Sequence, residues 1–290
     1  VLSEESLAST KRFMGRAQDL RLSLGTLQLS PVEVASHILA HIKNHVEETL
    51  GAPLEAAVIT VPAYFDEAAR VATKQAAALA GIKILRLMNE PTAAALAYGL
   101  ETGAEGIYGI YDFGGGTFDL SLLKLKDNVF QVLGTGGDLN LGGDDIDQAL
   151  LSQYSLTDSR AARALKERLS QEKSHNGITR EEVEALALPF VTKTLKITQD
   201  VLREANISLQ DMKGIVLVGG MTRMPLVQQE VARFFGKNLL CTIDPDHTVA
   251  LGAALVAHGL THGSETLLLD LTPLSLGLET MGGLVEKIIP

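Results

Sequence analysis

Nine residues, Tyr111-Asp112-Phe113-Gly114-Gly115-Gly116-Thr117-Phe118-Asp119, hold the densest chemistry of this chain. Three successive glycines remove every Cβ from one turn. The backbone is then free to take positive φ, and a ligand can come close to the amide N–H groups. A concave row of such donors is an anion nest, and phosphate is its usual guest. Asp112 and Asp119 at the two ends would repel a bare phosphate. They make sense if a hydrated Mg²⁺ lies between them and the anion, because Mg²⁺ binds through one or two carboxylates plus phosphate oxygens and keeps most of its waters. No Gly-Lys-Ser/Thr follows, and the glycines lead into a strand instead of a helix, so this is not a Walker loop. A plain glycine hairpin is the alternative, and two acids and a threonine around the glycines speak against it.

Further clusters can share a pocket with that turn. At Asn89-Glu90-Pro91-Thr92 a strand ends and a helix begins. Glu90 there either orients an attacking or metal-bound water, or simply favours the positive end of the helix. Val216-Leu217-Val218-Gly219-Gly220-Met221-Thr222-Arg223 runs from a strand through two glycines into a helix start. The glycines let a flat base lie on the backbone with Arg223 stacked over it, or else they only shape a tight turn. Leu141-Gly142-Gly143-Asp144-Asp145 is another glycine turn, and Asp244-Pro245-Asp246 precedes a helix rich in Ala and Gly. His37, His41 and His45 have the spacing of a helical metal pair. They run beside Val34, Ile38, Ile42 and Val46 with no Cys or carboxylate completing a set, and they read as a solvated helix edge. No Gly-x-Ser-x-Gly elbow supports Ser/His/Asp catalysis.

The elements that must position these residues alternate. Strands are expected at 56–61, 84–88, 107–111, 118–125, 129–133 and 215–218. Helices are expected at 66–80, 91–100, 225–235 and 249–258, with a mostly helical stretch at 144–210 broken by a polar loop at 174–177. This is an α/β pattern with mixed sheets. A chain of 290 residues can bury a large core in two lobes or more. Lys+Arg 25 against Asp+Glu 35 gives a net charge of −10, which disfavours nonspecific binding to nucleic acid or anionic membrane. The single cysteine, Cys241, excludes an internal disulfide framework and fits a reducing cytoplasm. No apolar run approaches membrane-spanning length, and the opening Val1-Leu2-Ser3-Glu4-Glu5 lacks the regions of a signal peptide and reads as the start of a fragment.

Taken together, 111–119, 89–99, 141–147, 216–225 and 244–254 resemble the successive nucleotide-site motifs of the DnaK-type heat-shock chaperones, as do 58–65 and 267–283. The ending 283–290, with 135–138 and the paired acids Asp144 and Asp145, is more similar to the iron–sulfur-assembly branch, HscA. The resemblance implies an actin-like ATPase fold of two lobes around a cleft for Mg-ATP or Mg-ADP. It divides the chain into a nucleotide-binding domain at 1–263, a linker at 264–271 and the first strands of a peptide-binding β-sandwich at 272–290. It places Asp112 near a Mg²⁺-bound water, Gly114, Gly115, Gly116 and Thr117 on the phosphates, and Glu90 and Asp119 near metal and attacking water. Gly143 and Asp144 would lie on the ribose or phosphate side. Lys166 and Ser170 would meet ribose or base, and Gly219, Gly220, Arg223 and Asp246 would complete the adenosine pocket. Pro62 and Arg70 fall on the family's nucleotide-sensing proline switch, and Leu267, Leu268, Leu269, Asp270 and Leu271 on its interdomain linker.

Three buried linker leucines would supply about 5–9 kcal/mol before ordering costs. Moving a two-state switch from 1:99 to 99:1 takes roughly 5.5 kcal/mol. The implied partners are a J-domain co-chaperone and an iron–sulfur scaffold protein or unfolded client peptide. An actin-like sugar kinase would share the fold without using the linker, and a pseudoenzyme would bind nucleotide without hydrolysing it. The chain also departs from the family pattern. The first phosphate loop is expected upstream of Val1 and the catalytic lysine upstream of the 9–16 stretch, with Lys11 aligning elsewhere, and the chain is abbreviated at 16–31, at 151–159 and around 174–177.

Overall fold

The computed structural model describes residues 7, 9–16, 19–102, 105–236, 239–264, 266–271, 276–281 and 284–289. The expectations for the opening residues 1–6, for Glu265 and for 272–275 lie outside them. A single 3₁₀ turn, Thr10–Phe13, precedes the small hairpin of β1 (Leu22–Leu24) and β2 (Leu27–Leu29). Helix α1 (Pro31–Leu50) starts on a capping box, in which Ser30 and Glu33 each accept from the other's backbone N–H, and it ends at Gly51 with φ 65°. β3 (Ala57–Val61), α2 (Glu67–Leu79) and β4 (Ile84–Asn89) form a βαβ unit whose strands pair in parallel. The Asp66 carboxylate caps α2 by accepting from Ala69 N–H. Next come α3 (Glu90–Thr102) and the antiparallel meander of β5 (Gly106–Phe113), β6 (Phe118–Lys126) and β7 (Val129–Asp138).

The stretch expected to be mostly helical over 144–210 resolves into α4 (Gly143–Tyr154), α5 (Ser159–Gln171) and α6 (Arg180–Glu204). The polar loop between α5 and α6 is itself a hairpin, β8 (Ser174–His175) with β9 (Ile178–Thr179), and its turn residues Asn176 and Gly177 stand at φ 50° and 80°. Asparagine and glycine are the residues that tolerate this left-handed pair. The chain continues with β10 (Met212–Val218), α7 (Pro225–Phe235), β11 (Leu239–Leu240), α8 (Thr248–His262), β12 (Leu267–Leu269) and the hairpin of β13 (Leu276–Glu279) and β14 (Val285–Ile289).

Six strands make the central sheet in the order β11-β10-β5-β6-β7-β12. The meander is antiparallel, whereas β10, β11 and β12 join in parallel through helical crossovers. Because successive side chains point to opposite faces, the inner strands feed two cores. Tyr111, Phe113, Leu120, Leu122 and Leu217 pack on α4–α7, while Ile110, Leu123, Leu125, Val216 and Val218 pack on α3. Burial on both faces is why these strands read as near-continuous apolar runs. A third cluster, around Val61, Phe65, Ala72 and Ala76, packs against α1. The fold is thus mixed α/β, of the actin-like type that the motifs implied.

Candidate nucleotide-binding site

The glycine turn between β5 and β6 lies at the end of these two inner strands, against the start of α4. None of Gly114, Gly115 and Gly116 takes positive φ, so the freedom expected there is not used as left-handed backbone. What the missing Cβ atoms provide is access, since Gly115 is exposed and Gly116 half-buried. All three carbonyls accept hydrogen bonds: Gly114 from Gly143 N–H at 3.0 Å, Gly115 from Asp144 N–H at 2.8 Å, and Gly116 from Arg12 Nε at 2.7 Å. The first two amides of α4 therefore hold the turn. The fit is close, because a Cβ on Gly142 would stand 2.3 Å from the Gly115 carbonyl oxygen. Gly219, with φ 84°, is where β10 ends against β5, and a Cβ there would meet Phe113 O at 2.5 Å and Asp112 Oδ1 at 2.8 Å. Gly219 thus serves the close approach of chain to chain.

Asp112 and Asp119 are direct cross-strand partners in the β5–β6 register. Like charges in that position repel. Burial, then Glu90, raises the Asp112 carboxyl to about 7, with Lys11 opposing. Asp119 is 1% exposed and lies well above the usual carboxylate range, first through burial and then through the charge of Asp112. Among the described residues its buried Oδ1 has no hydrogen-bond partner. The cation facing this cluster is Lys11, whose Nζ lies 2.6 Å from Glu90 Oε1. Burial pulls the Lys11 ammonium down, but Glu90, Asp112 and Asp119 outweigh it and hold it above the ordinary lysine range. Lys11 thus puts a lysine at this site from within the 9–16 stretch, where the expectation placed it upstream. Nothing local marked it, because its partner Glu90 is 79 positions away.

Three carboxylates against one ammonium, an orphaned buried oxygen and an all-oxygen donor set fit a hard divalent cation. Among the described residues no three His, Cys, Asp or Glu side chains form a direct ligand set. Asp112 and Asp119 would hold such an ion through its waters.

From Gly115 a cavity of about 550 Å³ opens away from the carboxylates. Lys166, Ser170, Gly220, Arg223 and Asp246, expected around ribose and base, line it together with Gly143 and Asp144, expected on the ribose or phosphate side. Lys166 is nearly buried, and its ammonium is committed to Asp147 Oδ1 at 2.7 Å and to the Gly143 carbonyl at 2.8 Å. Asp147, missed by the sequence reading, fixes the lysine against α4. The Arg223 guanidinium lies between Asp244 Oδ1 at 2.5 Å and Asp246 Oδ2 at 2.7 Å. Gly114, Gly116, Thr117 and Gly219 lie outside the cavity lining, on the carboxylate side. His37, His41 and His45 sit on an exposed face of α1.

The segment expected to be a linker lies against one edge of the sheet. β12 pairs in parallel with β7, Leu267 opposite Val129 and Leu269 opposite Gln131. Strand alternation turns Leu268 inward and leaves Leu267, Leu269 and Leu271 exposed by 52%, 45% and 41%. Of the three buried leucines expected, only Leu268 faces the core and it is half-buried, so its contribution stays below the roughly 1.5–3 kcal/mol of a fully buried leucine. A polar chain adds to it: Asp270 Oδ2 accepts from Asn89 Nδ2 at 2.9 Å and from Thr92 Oγ1 at 3.1 Å. Asn89 Oδ1 in turn accepts from Arg70 at 2.7 Å. Arg70 also donates to the Phe65 and Ala63 carbonyls, closing the turn that follows the buried Pro62.

A sheet that gathers a glycine turn, paired aspartates and a cavity of about 550 Å³ at one end defines a class, a mixed α/β domain of actin-like fold. The chain belongs to the Hsp70 family: the family model described as Hsp70 protein matches residues 16–173 and 166–290. A chaperone protein HscA homolog of Burkholderia pseudomallei (strain 668) is 49% identical over 335 residues, covering 98% of this chain and 54% of that protein. An HscA homolog of Methylibium petroleiphilum is 47% identical over 333 residues, 99% of this chain and 54% of its own length. The chain thus spans about half the length of these relatives. The alignments run over more positions than the 290 residues available, so the relatives carry internal residues that this chain lacks. Among the described residues no helix is long and apolar enough to cross a membrane.

Proposed function

We propose that this chain is the ATPase core of an ATP-driven chaperone of the HscA type, with a linker at 264–271 and the opening strands of a client-binding domain at 272–290. The observation that carries the reading is the arrangement at the glycine turn. Carboxylates with one lysine lie on one side and a nucleoside-sized cavity on the other.

In this reading the nucleoside lies along Gly143, Asp144, Lys166, Ser170, Gly220, Arg223 and Asp246. The phosphates meet Gly114, Gly115, Gly116 and Thr117. Asp112 and Asp119 would hold Mg²⁺ through its waters, and the ion would supply charge neutralisation at the phosphate oxygens. Lys11 adds a fixed positive charge beside the transferred phosphoryl group. Glu90, hydrogen-bonded by Lys11, accepts from a water and orients it in line. No covalent nucleophile is needed, and hydrolysis acts as a timer. Pro62 and Arg70 relay the nucleotide state through Asn89 and Asp270 to the linker leucines.

The names of the relatives agree with the branch that the sequence resembles. On that basis the partners are a J-domain co-chaperone and an iron–sulfur scaffold protein or an unfolded client peptide, in the cytoplasm. A second reading, a nucleotide-binding pseudoenzyme, draws on the internal residues present in the relatives and absent here. Single-turnover hydrolysis of Mg-ATP separates the two. Asp119→Asn should slow the chemical step about 100-fold or more while changing ADP affinity far less. Equal turnover in the variant would remove Asp119 from the reaction, and no turnover in the parent chain would favour the pseudoenzyme.

A further inference from the structure

The 3₁₀ turn Thr10–Phe13 does more at the site than deliver Lys11. Arg12 commits all three guanidinium nitrogens: NH1 and NH2 to the two Asp145 oxygens at 3.1 and 2.5 Å, and Nε to the Gly116 carbonyl at 2.7 Å. Its side chain is only 14% exposed. A two-pronged, partly buried pair of this kind is unlike the flexible surface ion pairs that contribute little. Both partners matter. Gly116 closes the glycine turn, and Asp145 Oδ2 also accepts from Gly142 N–H at 2.7 Å, so Arg12 grips the residue that caps α4. Ser9 hydrogen-bonds Asp144 alongside, and Lys11 reaches Glu90 on the opposite side. One short turn thereby fastens the glycine turn, the start of α4 and the carboxylate cluster together.

We propose that Arg12 is a positioning residue: through Asp145 and the Gly116 carbonyl it clasps the phosphate turn and sets how long nucleotide stays bound. The inference rests on the reading of this site as a nucleotide site. A nucleotide whose phosphates lie under the glycine turn cannot leave until the turn, α4 or the 10–13 segment moves. The three contacts of Arg12 oppose each of those movements. Lysine would not replace it, since an ammonium has no fork to span both Asp145 oxygens and the carbonyl.

The test is release of the fluorescent nucleotide mant-ADP, with Mg²⁺, from the full 290-residue chain, chased by excess ADP in a stopped-flow instrument. Arg12→Ala should speed release by about tenfold or more with the association rate within about twofold of the parent. Asp145→Asn keeps an acceptor for Gly142 and removes the charge, so it checks the clasp without uncapping α4. It should speed release comparably, and the double variant should be no faster than Arg12→Ala. Faster release in Arg12→Ala but not in Asp145→Asn would overturn the clasp and make Arg12 a direct phosphate ligand. Unchanged release in both variants would overturn it outright. A parent chain that fails to bind mant-ADP would overturn the nucleotide reading and this inference with it. A fall in association rate together with release and melting temperature would assign Arg12 to general stability instead.

Discussion

Asp112 shows how one residue can tie pH to ligand. Its carboxyl is raised to about 7, by burial first and Glu90 second, with Lys11 opposing. A protonated Asp112 offers a hydrated cation no charge. Mg²⁺-dependent affinity for ADP should therefore be full above about 7 and fall as the pH drops through that value, and Asp112→Asn should flatten the profile. Titration of ADP at fixed Mg²⁺ between pH 5.5 and 8.5 checks it, and a flat parental profile would contradict it. Without ligand the sign reverses. Ionisation is penalised only in the folded state, so this group's contribution favours the fold below the ordinary Asp range and is lost as pH rises towards about 7. The aspartates could be read from the sequence because they flank a local turn. Lys11, Arg12 and Asp147 could not, because their roles depend on partners that the fold brings from elsewhere in the chain. A basic pair in a polar stretch looks like solvated surface until its acids arrive.

At the scale of elements, α4 and the β5–β6 hairpin behave as one unit, because the α4 amides bind the glycine carbonyls. Two glycines in this unit should respond differently to alanine. Gly142→Ala puts a Cβ 2.3 Å from Gly115 O and should cost about 1–3 kcal/mol or more, together with nucleotide binding. Gly115→Ala meets nothing closer than Asp144 Oδ1 at 3.5 Å, so the fold should hold while the new methyl blocks the anion's approach. Urea unfolding and ADP titration of the two variants would show the split, and equal loss of stability in both would contradict it. The sequence pattern located both glycine turns, but it ascribed the first to positive φ. Only packing reveals that Gly142 is the one required by close approach. The same limit applies to β12, where three leucines in a row suggested three buried side chains and strand alternation turns only Leu268 inward, half-buried.

The whole molecule connects the site to the linker over a short distance. β4 ends in Asn89, which holds Asp270 of the linker, and the next residue is Glu90, which holds Lys11. A linker that leaves the sheet edge would remove an acceptor from Asn89 and Thr92, one residue or two from the reacting end. Leu268→Asp should detach β12, because this side chain faces the core, whereas Leu269→Asp should leave it paired. Hydrogen exchange at Val129–Gln131, the residues that β12 covers, reads the difference directly. Equal protection in the two variants would count against the docked linker. The α/β class and the family were legible in the sequence because the motifs lie at strand ends in chain order. The pairing of β12 with β7 needed the sheet to be assembled first.

The most direct test of the nucleotide site is calorimetric titration of Mg-ADP into this 290-residue chain. Saturable binding at one site, lost when Mg²⁺ is chelated, is the result the account predicts. No heat of binding at millimolar ADP, from a chain that melts cooperatively, would contradict it, because the turn, the carboxylates and the cavity would then be present without forming a nucleotide site.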